Sequence, residues 1–181
     1  NNTAVGYQAL TANTTGTENT AVGAYALDAN TTANFNTAIG YEALTTATTA
    51  TKNTAVGQDA LKDTTTGSYN VALGTQALHN NTTGDSNIAV GQNALGSNTT
   101  ANDNVAVGQD ALVLNTTGTQ NVSIGSYALD ANTTASNNVA VGYGGLGANT
   151  ASGNSALGHQ ALQANTTGAG NIGVGKNSLL V

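Results

Sequence analysis

Aliphatic and polar positions repeat along this chain in one fixed frame. An aliphatic residue stands before Gly at Val5-Gly6, Val22-Gly23, Ile39-Gly40, Leu73-Gly74, Val107-Gly108, Ile124-Gly125 and Val174-Gly175. Leu follows four residues after each Gly, as at Leu10, Leu27, Leu112 and Leu129. The step from one such Gly to the next is 17 residues throughout, except for 16 between Gly142 and Gly158. Eleven copies of N-x-A-V-G-x-x-A-L-x-x-N-T-T-[GA]-x-x span the sequence, so residues 1–181 are expected to be a single repeat domain.

A 17-residue period does not continue a helical 3.6 pattern, and Thr, Asn and Gly are poor helix formers. Each unit predicts two short strands instead. The first is x-A-V, for example Thr3-Ala4-Val5 or Val105-Ala106-Val107, and the second is x-x-A-L, for example Gln109-Asp110-Ala111-Leu112. The Gly between them supplies a sharp bend or a positive φ. N-T-T-G is turn chemistry, because Asn and Thr side chains bond nearby backbone. The expected fold is all-β: a parallel β-solenoid, or β-roll, of about eleven 17-residue coils. Coils stacked about 4.8 Å apart make a rod on the order of 50 Å long.

Register assigns roles to the columns. Asn occurs four residues before the Gly in every copy, and an amide that both donates and accepts suits a ladder at the coil spacing. Asn19, Asn36, Asn53, Asn70, Asn87, Asn104 and Asn121 are therefore expected to form a structural ladder, alongside any preference of Asn for the turn. Val5, Leu10, Val22, Leu27, Val107, Leu112, Ile124 and Leu129 are the expected core. Three residues before the Gly, Thr3, Thr20, Thr37 and Thr54 give way to Val71, Ile88, Val105, Val122 and Val139, on the same strand face as the residue before Gly. The Ala between them faces the other way. It is either a smooth stripe for close approach of a partner rod or the lining of a narrow coil interior.

Composition narrows the function. Only 7% of residues are charged and 4% aromatic, the net charge is -6, and Pro, Cys, Met and Trp are absent. Without Arg and with three Lys, the chain lacks the basic footprint of nucleic acid binding. Without Cys it can hold neither a disulfide framework nor a thiolate metal site. No apolar run reaches the roughly 18 residues of a membrane span. The absence of Pro fits a backbone that uses its N–H groups everywhere. A core of one or two aliphatics and Ala per coil is thin, which points to further burial against other chains.

The segments Asn104 to Gly108 (N-V-A-V-G), Asn87 to Gly91 (N-I-A-V-G) and Asn121 to Gly125 (N-V-S-I-G) resemble the N-S-V-A-I-G signature of YadA-like trimeric autotransporter heads. The full unit Asn2 to Gly16 is also similar to repeats of phage tail-fibre and bacterial surface proteins. The resemblance covers essentially the whole chain. It implies a homotrimer of parallel β-rolls, an extracellular location on a cell surface or virion fibre, and service as a rigid spacer or host-surface-binding adhesin head. The autotransporter head unit is nearer 14 residues, and the longer N-T-T-G turn here leaves the coil path and trimer packing open. The chain begins and ends inside repeats, so it is expected to be a fragment of a longer fibre.

Catalytic chemistry is hard to place on this frame. His79 and His159 occupy different columns and do not stack as a metal pair. Glu42 and Asp59 lie one coil apart and can approach, but they read as surface charge. The calcium-binding G-G-x-G-x-D repeat and a phosphate loop are missing. The chain is expected to be no enzyme and to need no metal or cofactor. Candidate surface-binding residues are Tyr7, Tyr41 and Tyr143, which follow the Gly and suit stacking on a sugar or covering of the second strand. Thr14, Thr15, Thr31 and Thr32 belong to Thr columns that support an alternative, an ice-binding solenoid. The N-T-T triplets are also glycosylation sequons, which recurrence as a turn explains without sugar. Expected partners are the chain itself and a cell-surface receptor or glycan, without nucleic acid or membrane insertion.

Overall fold

The computed structural model describes residues 1–179; residues 180 and 181 of the expected repeat domain lie outside the described residues. Eleven three-residue strands follow one another: β1 (Thr3–Val5), β2 (Thr20–Val22), β3 (Thr37–Ile39), β4 (Thr54–Val56), β5 (Val71–Leu73), β6 (Ile88–Val90), β7 (Val105–Val107), β8 (Val122–Ile124), β9 (Val139–Val141), β10 (Ser155–Leu157) and β11 (Ile172–Val174). They form one parallel sheet in sequence order. Each residue pairs with its equivalent one unit away, as in Ala38↔Ala55 and Val105↔Val122. The eleven strands thus bound ten turns of a parallel β-solenoid, with no helix among the described residues.

Among the described residues the expected second strand is absent. The x-x-A-L segment forms consecutive tight turns: Ala26 N–H donates to Gly23 O at 3.4 Å, and Asn30 N–H to Leu27 O at 3.2 Å. Tyr25 (φ 60°) and Leu27 (φ 51°) are left-handed, a pattern that returns in the other coils. A positive φ at the third residue of Gly23–Ala26 is the geometry of a type II turn. Inter-coil bonding nevertheless continues through these turns. Tyr25 N–H donates back to Tyr7 O at 2.9 Å, and Leu27 N–H forward to Ala43 O at 3.1 Å.

The corner glycines have a steric cause. At Gly40 φ is 142°, and an added Cβ would lie 2.4 Å from the carbonyl oxygen of Gly57 in the next coil. Stacked corners approach too closely for any side chain at this column.

The strand face points opposite to expectation. Ala21, Ala38, Ala55, Ala72, Ala89, Ala106 and Ala140 are wholly buried, so the Ala column lines the coil interior. It packs there with Ala26, Leu27, Ala43, Leu44, Leu61, Leu78, Leu95, Leu112, Leu129 and Leu146 in one continuous core. Of the expected core, Leu27, Leu112 and Leu129 are buried and Leu10 is half-buried. Val5, Val22, Val107 and Ile124 are not core. Val5 is 58% and Ile124 39% exposed, and Val22 and Val107 are half-buried on the outer face. The turn-borne Leu fills the narrow coil, and only an Ala methyl fits opposite it. Ser123 takes an Ala position and stays buried because its hydroxyl donates to Ala128 O at 2.7 Å.

The 16-residue unit is absorbed in the turn. β9 and β10 keep their register, Val139↔Ser155 and Val141↔Leu157, while the chain shortens between Asn149 and Asn154. Asn154 Nδ2 reaches Asn149 Oδ1 at 3.0 Å across the shortened loop.

Candidate functional site

Two Asn columns hold the coils in register. Along the expected ladder, each side-chain Oδ1 accepts the backbone N–H of the next Asn: Asn19 to Asn36 at 3.0 Å, Asn36 to Asn53 at 2.9 Å, Asn53 to Asn70 at 2.8 Å, Asn87 to Asn104 at 3.0 Å and Asn104 to Asn121 at 3.0 Å. Each Nδ2 donates to a turn carbonyl, for example Asn53 to Gly67 O at 2.9 Å. All seven predicted ladder residues are at most 1% exposed. Both ends of the amide are used, as a buried polar group requires.

The Asn of N-T-T makes a second ladder that sequence reasoning assigned to turn chemistry alone. Asn98 Nδ2 donates to Asn81 Oδ1 at 2.9 Å, and Asn115 to Asn98 at 3.1 Å. Its signal is present in the sequence, because Asn recurs at this column from Asn13 to Asn165, but it is interrupted at Ala47 and Thr64, where the first column is Asn in every copy.

The outer sheet face carries two columns of side chains. On β1 to β4 it pairs Thr with Val or Ile. From β5 onward both columns are aliphatic apart from Ser155. Leu73, Ile88, Ile124, Val139, Leu157, Ile172 and Val174 are between 38% and 73% exposed. The strip over β5 to β11 is roughly 30 Å long. A contiguous apolar surface of this kind marks an interaction face.

The Thr pair divides. Thr14 and Thr31 turn their hydroxyls onto the next coil, to Thr31 O at 3.0 Å and Thr48 O at 3.3 Å. Thr15 and Thr32 are exposed, as are their equivalents Thr49, Thr66, Thr83, Thr100, Thr117 and Thr134.

Five of the seven aromatic residues gather in two stacks beside the corner glycines. Tyr7, Tyr25 and Tyr41 meet edge-to-face at 5.4 and 6.1 Å, and Tyr127 and Tyr143 at 5.7 Å, while His159 stacks on Tyr143 at 5.4 Å. Tyr143 also borders an open cleft of about 490 Å3 with Tyr127, Asp130 and Gln160. His79 Nδ1 lies 3.3 Å from Asp59 O. Lys62 sits between Glu42 and Asp59, its Nζ 3.4 Å from Asp59 Oδ1. Its hydrogen bond, followed by that of Tyr41, holds the Glu42 carboxyl below its ordinary value. Burial pushes Asp28 and Asp130 above theirs.

The fold defines the class: a single-chain parallel β-solenoid with buried Asn ladders. No family model matches the chain, and no curated protein or solved structure does either.

Proposed function

We propose that this chain is a rigid structural segment of an extracellular fibre, associated as a homotrimer through the outer sheet face. The observation that carries the reading is the two-column aliphatic strip over β5 to β11, exposed in the single chain. Water contact with such a strip is unfavourable by about 25 cal/mol per Å2, and packing against copies of itself removes it. The inter-coil ladders make each rod stiff, which suits a spacer holding another element away from a cell or virion surface. The number three and the extracellular setting follow from the resemblance of the N-x-A-V-G units to trimeric autotransporter heads. Light scattering behind size exclusion tests it: a trimer mass is expected, with monomer from a variant carrying Ile88→Lys, Val105→Lys and Val122→Lys. A compact wild-type monomer overturns the assembly.

A second reading, ice binding, has one observation in its favour. The exposed column from Thr15 to Thr134 repeats methyl and hydroxyl groups at the coil spacing. Thermal hysteresis in a freezing assay supports it, and its absence removes it.

A further inference from the structure

One coil lacks side chains where its neighbours carry them. Two residues after the corner glycine every other unit has a side chain, but the unit of β9 has Gly144, and five residues after the corner it has Gly147. Stacked layers lie about 4.8 Å apart, so emptying one leaves a slot nearly 10 Å between the layers on either side, room for one ring.

Neither glycine is forced by a clash of the kind found at the corner column. A Cβ at Gly144 would meet Gln160 Cγ at an ordinary 3.5 Å, and at Gly147 it would sit a tighter 3.3 Å from Asp130 Oδ1 and Gly144 O, which a small shift relieves. At the corner residue Gly142, by contrast, a Cβ would lie 2.3 Å from Gly158 O. The left-handed φ of Gly144, 60°, is also that of Tyr127 (58°) and Gln160 (55°) in the adjoining coils. The slot is space for side chains that the chain leaves empty.

Its walls are chemically mixed. Tyr127 and Asp130 stand on one side, Gln160 and Gln163 on the other, with Tyr143 at the rim. The cleft's volume, about 490 Å3, falls in the roughly 300–1,000 Å3 range of small-molecule sites. The Tyr143 ring is held between Tyr127 and His159, yet 49% exposed. Tyr127 and Tyr143 together give the cleft an aromatic border, and the C–H groups of a ring pack favourably against aromatic surface. Asp130 accepts hydrogen bonds, and the two Gln amides both donate and accept. No basic side chain lines the cleft, which disfavours an anionic ligand.

We infer that this slot binds one neutral sugar ring, packed beside the Tyr127 and Tyr143 rings, with Asp130, Gln160 and Gln163 bonding its hydroxyls. The inference goes beyond the spacer reading and does not need it, since the slot lies past the Gly142 corner from the outer sheet face.

An NMR titration of the full chain with glucose, galactose, mannose and N-acetylglucosamine tests it, with N-acetylneuraminic acid as the anionic control. At least one neutral sugar is expected to shift Tyr127, Tyr143, Gly144 and Gly147 resonances, saturating in the millimolar range typical of a single small ring. The double variant Gly144→Gln/Gly147→Gln fills the slot with the side chains that the next coil carries at the same columns. It is expected to weaken binding by at least about tenfold while the variant keeps the dispersed spectrum of the folded rod. Tyr143→Ala gives an independent check with the same expected loss. The proposal is overturned if no neutral sugar shifts these resonances, if only the anionic sugar does, or if either variant binds as wild type.

Discussion

The backbone N–H of Asn87 donates to Asn70 Oδ1 at 2.9 Å, while Asn70 Nδ2 donates to Gly84 O at 2.8 Å. One wholly buried amide thereby joins a strand start in the next coil to a turn in that same coil. Replacing Asn70 with Ala orphans a buried N–H and is expected to cost about 1–3 kcal/mol. Asn70→Asp keeps the acceptor but aims a carboxylate at the Gly84 carbonyl, so its loss is greater at neutral pH. Burying an ionised carboxylate is unfavourable, so the penalty is expected to be present at neutral pH and relieved once acid protonates the group. Circular dichroism melts at acidic and neutral pH check both: equal melting of Asn70→Asp and wild type at neutral pH contradicts the ladder.

Neighbouring residues on β7 respond in opposite ways. Ala106 faces the filled interior, so Ala106→Leu is expected to destabilise the rod by about 1–3 kcal/mol or more. Val107 faces outward, and Val107→Ala is expected to change the fold's stability far less. Leu112→Ala, which empties a core position, is expected to cost about 2–5 kcal/mol. Denaturation of the three variants at one protein concentration decides whether Ala or Val points inward.

Self-association through the sheet is open to a chemical probe because the chain has no native Cys. Val105→Cys is expected to cross-link between copies under mild oxidation, whereas Thr117→Cys, on the turn, is expected to cross-link several-fold more slowly. Equal rates contradict packing through β5 to β11.

Asp28 and Asp130 set part of the pH response. Burial raises both, so each ionised carboxylate destabilises the fold above its folded-state pKa, and stability is recovered as pH falls through that value. Asp130→Asn is expected to flatten this part of the profile. Glu42, lowered by Lys62, acts in the opposite sense: its contribution is present above the unfolded-state pKa and lost as pH falls through the lower folded value. Melting temperature against pH for wild type, Asp130→Asn and Glu42→Gln separates the two.

The solenoid, the 17-residue register and the first Asn ladder were legible in the sequence because repetition exposes any position that stacking constrains. What was misread depended on coil width. By size, Val5 and Val22 suit a core better than Ala4 and Ala21, but Leu27 reaches in from the turn and leaves space only for a methyl. The second strand was misread because Ala26-Leu27 has the composition of one, and nothing about Leu announces a left-handed φ. The slot at Gly144 and Gly147 went unnoticed because it is made of missing side chains, which show only when the columns are laid over the folded coils.

The shortened loop between Asn149 and Asn154 behaves as an expansion joint. The strands on either side keep step although one residue is gone, and Asn154 N–H still finds Asn138 Oδ1 at 2.9 Å. Length is negotiable at the N-T-T turn and nowhere near the corner glycines. Inserted peptides or reporter loops therefore belong at that turn, where a rod of this kind can be decorated coil by coil without losing its pitch.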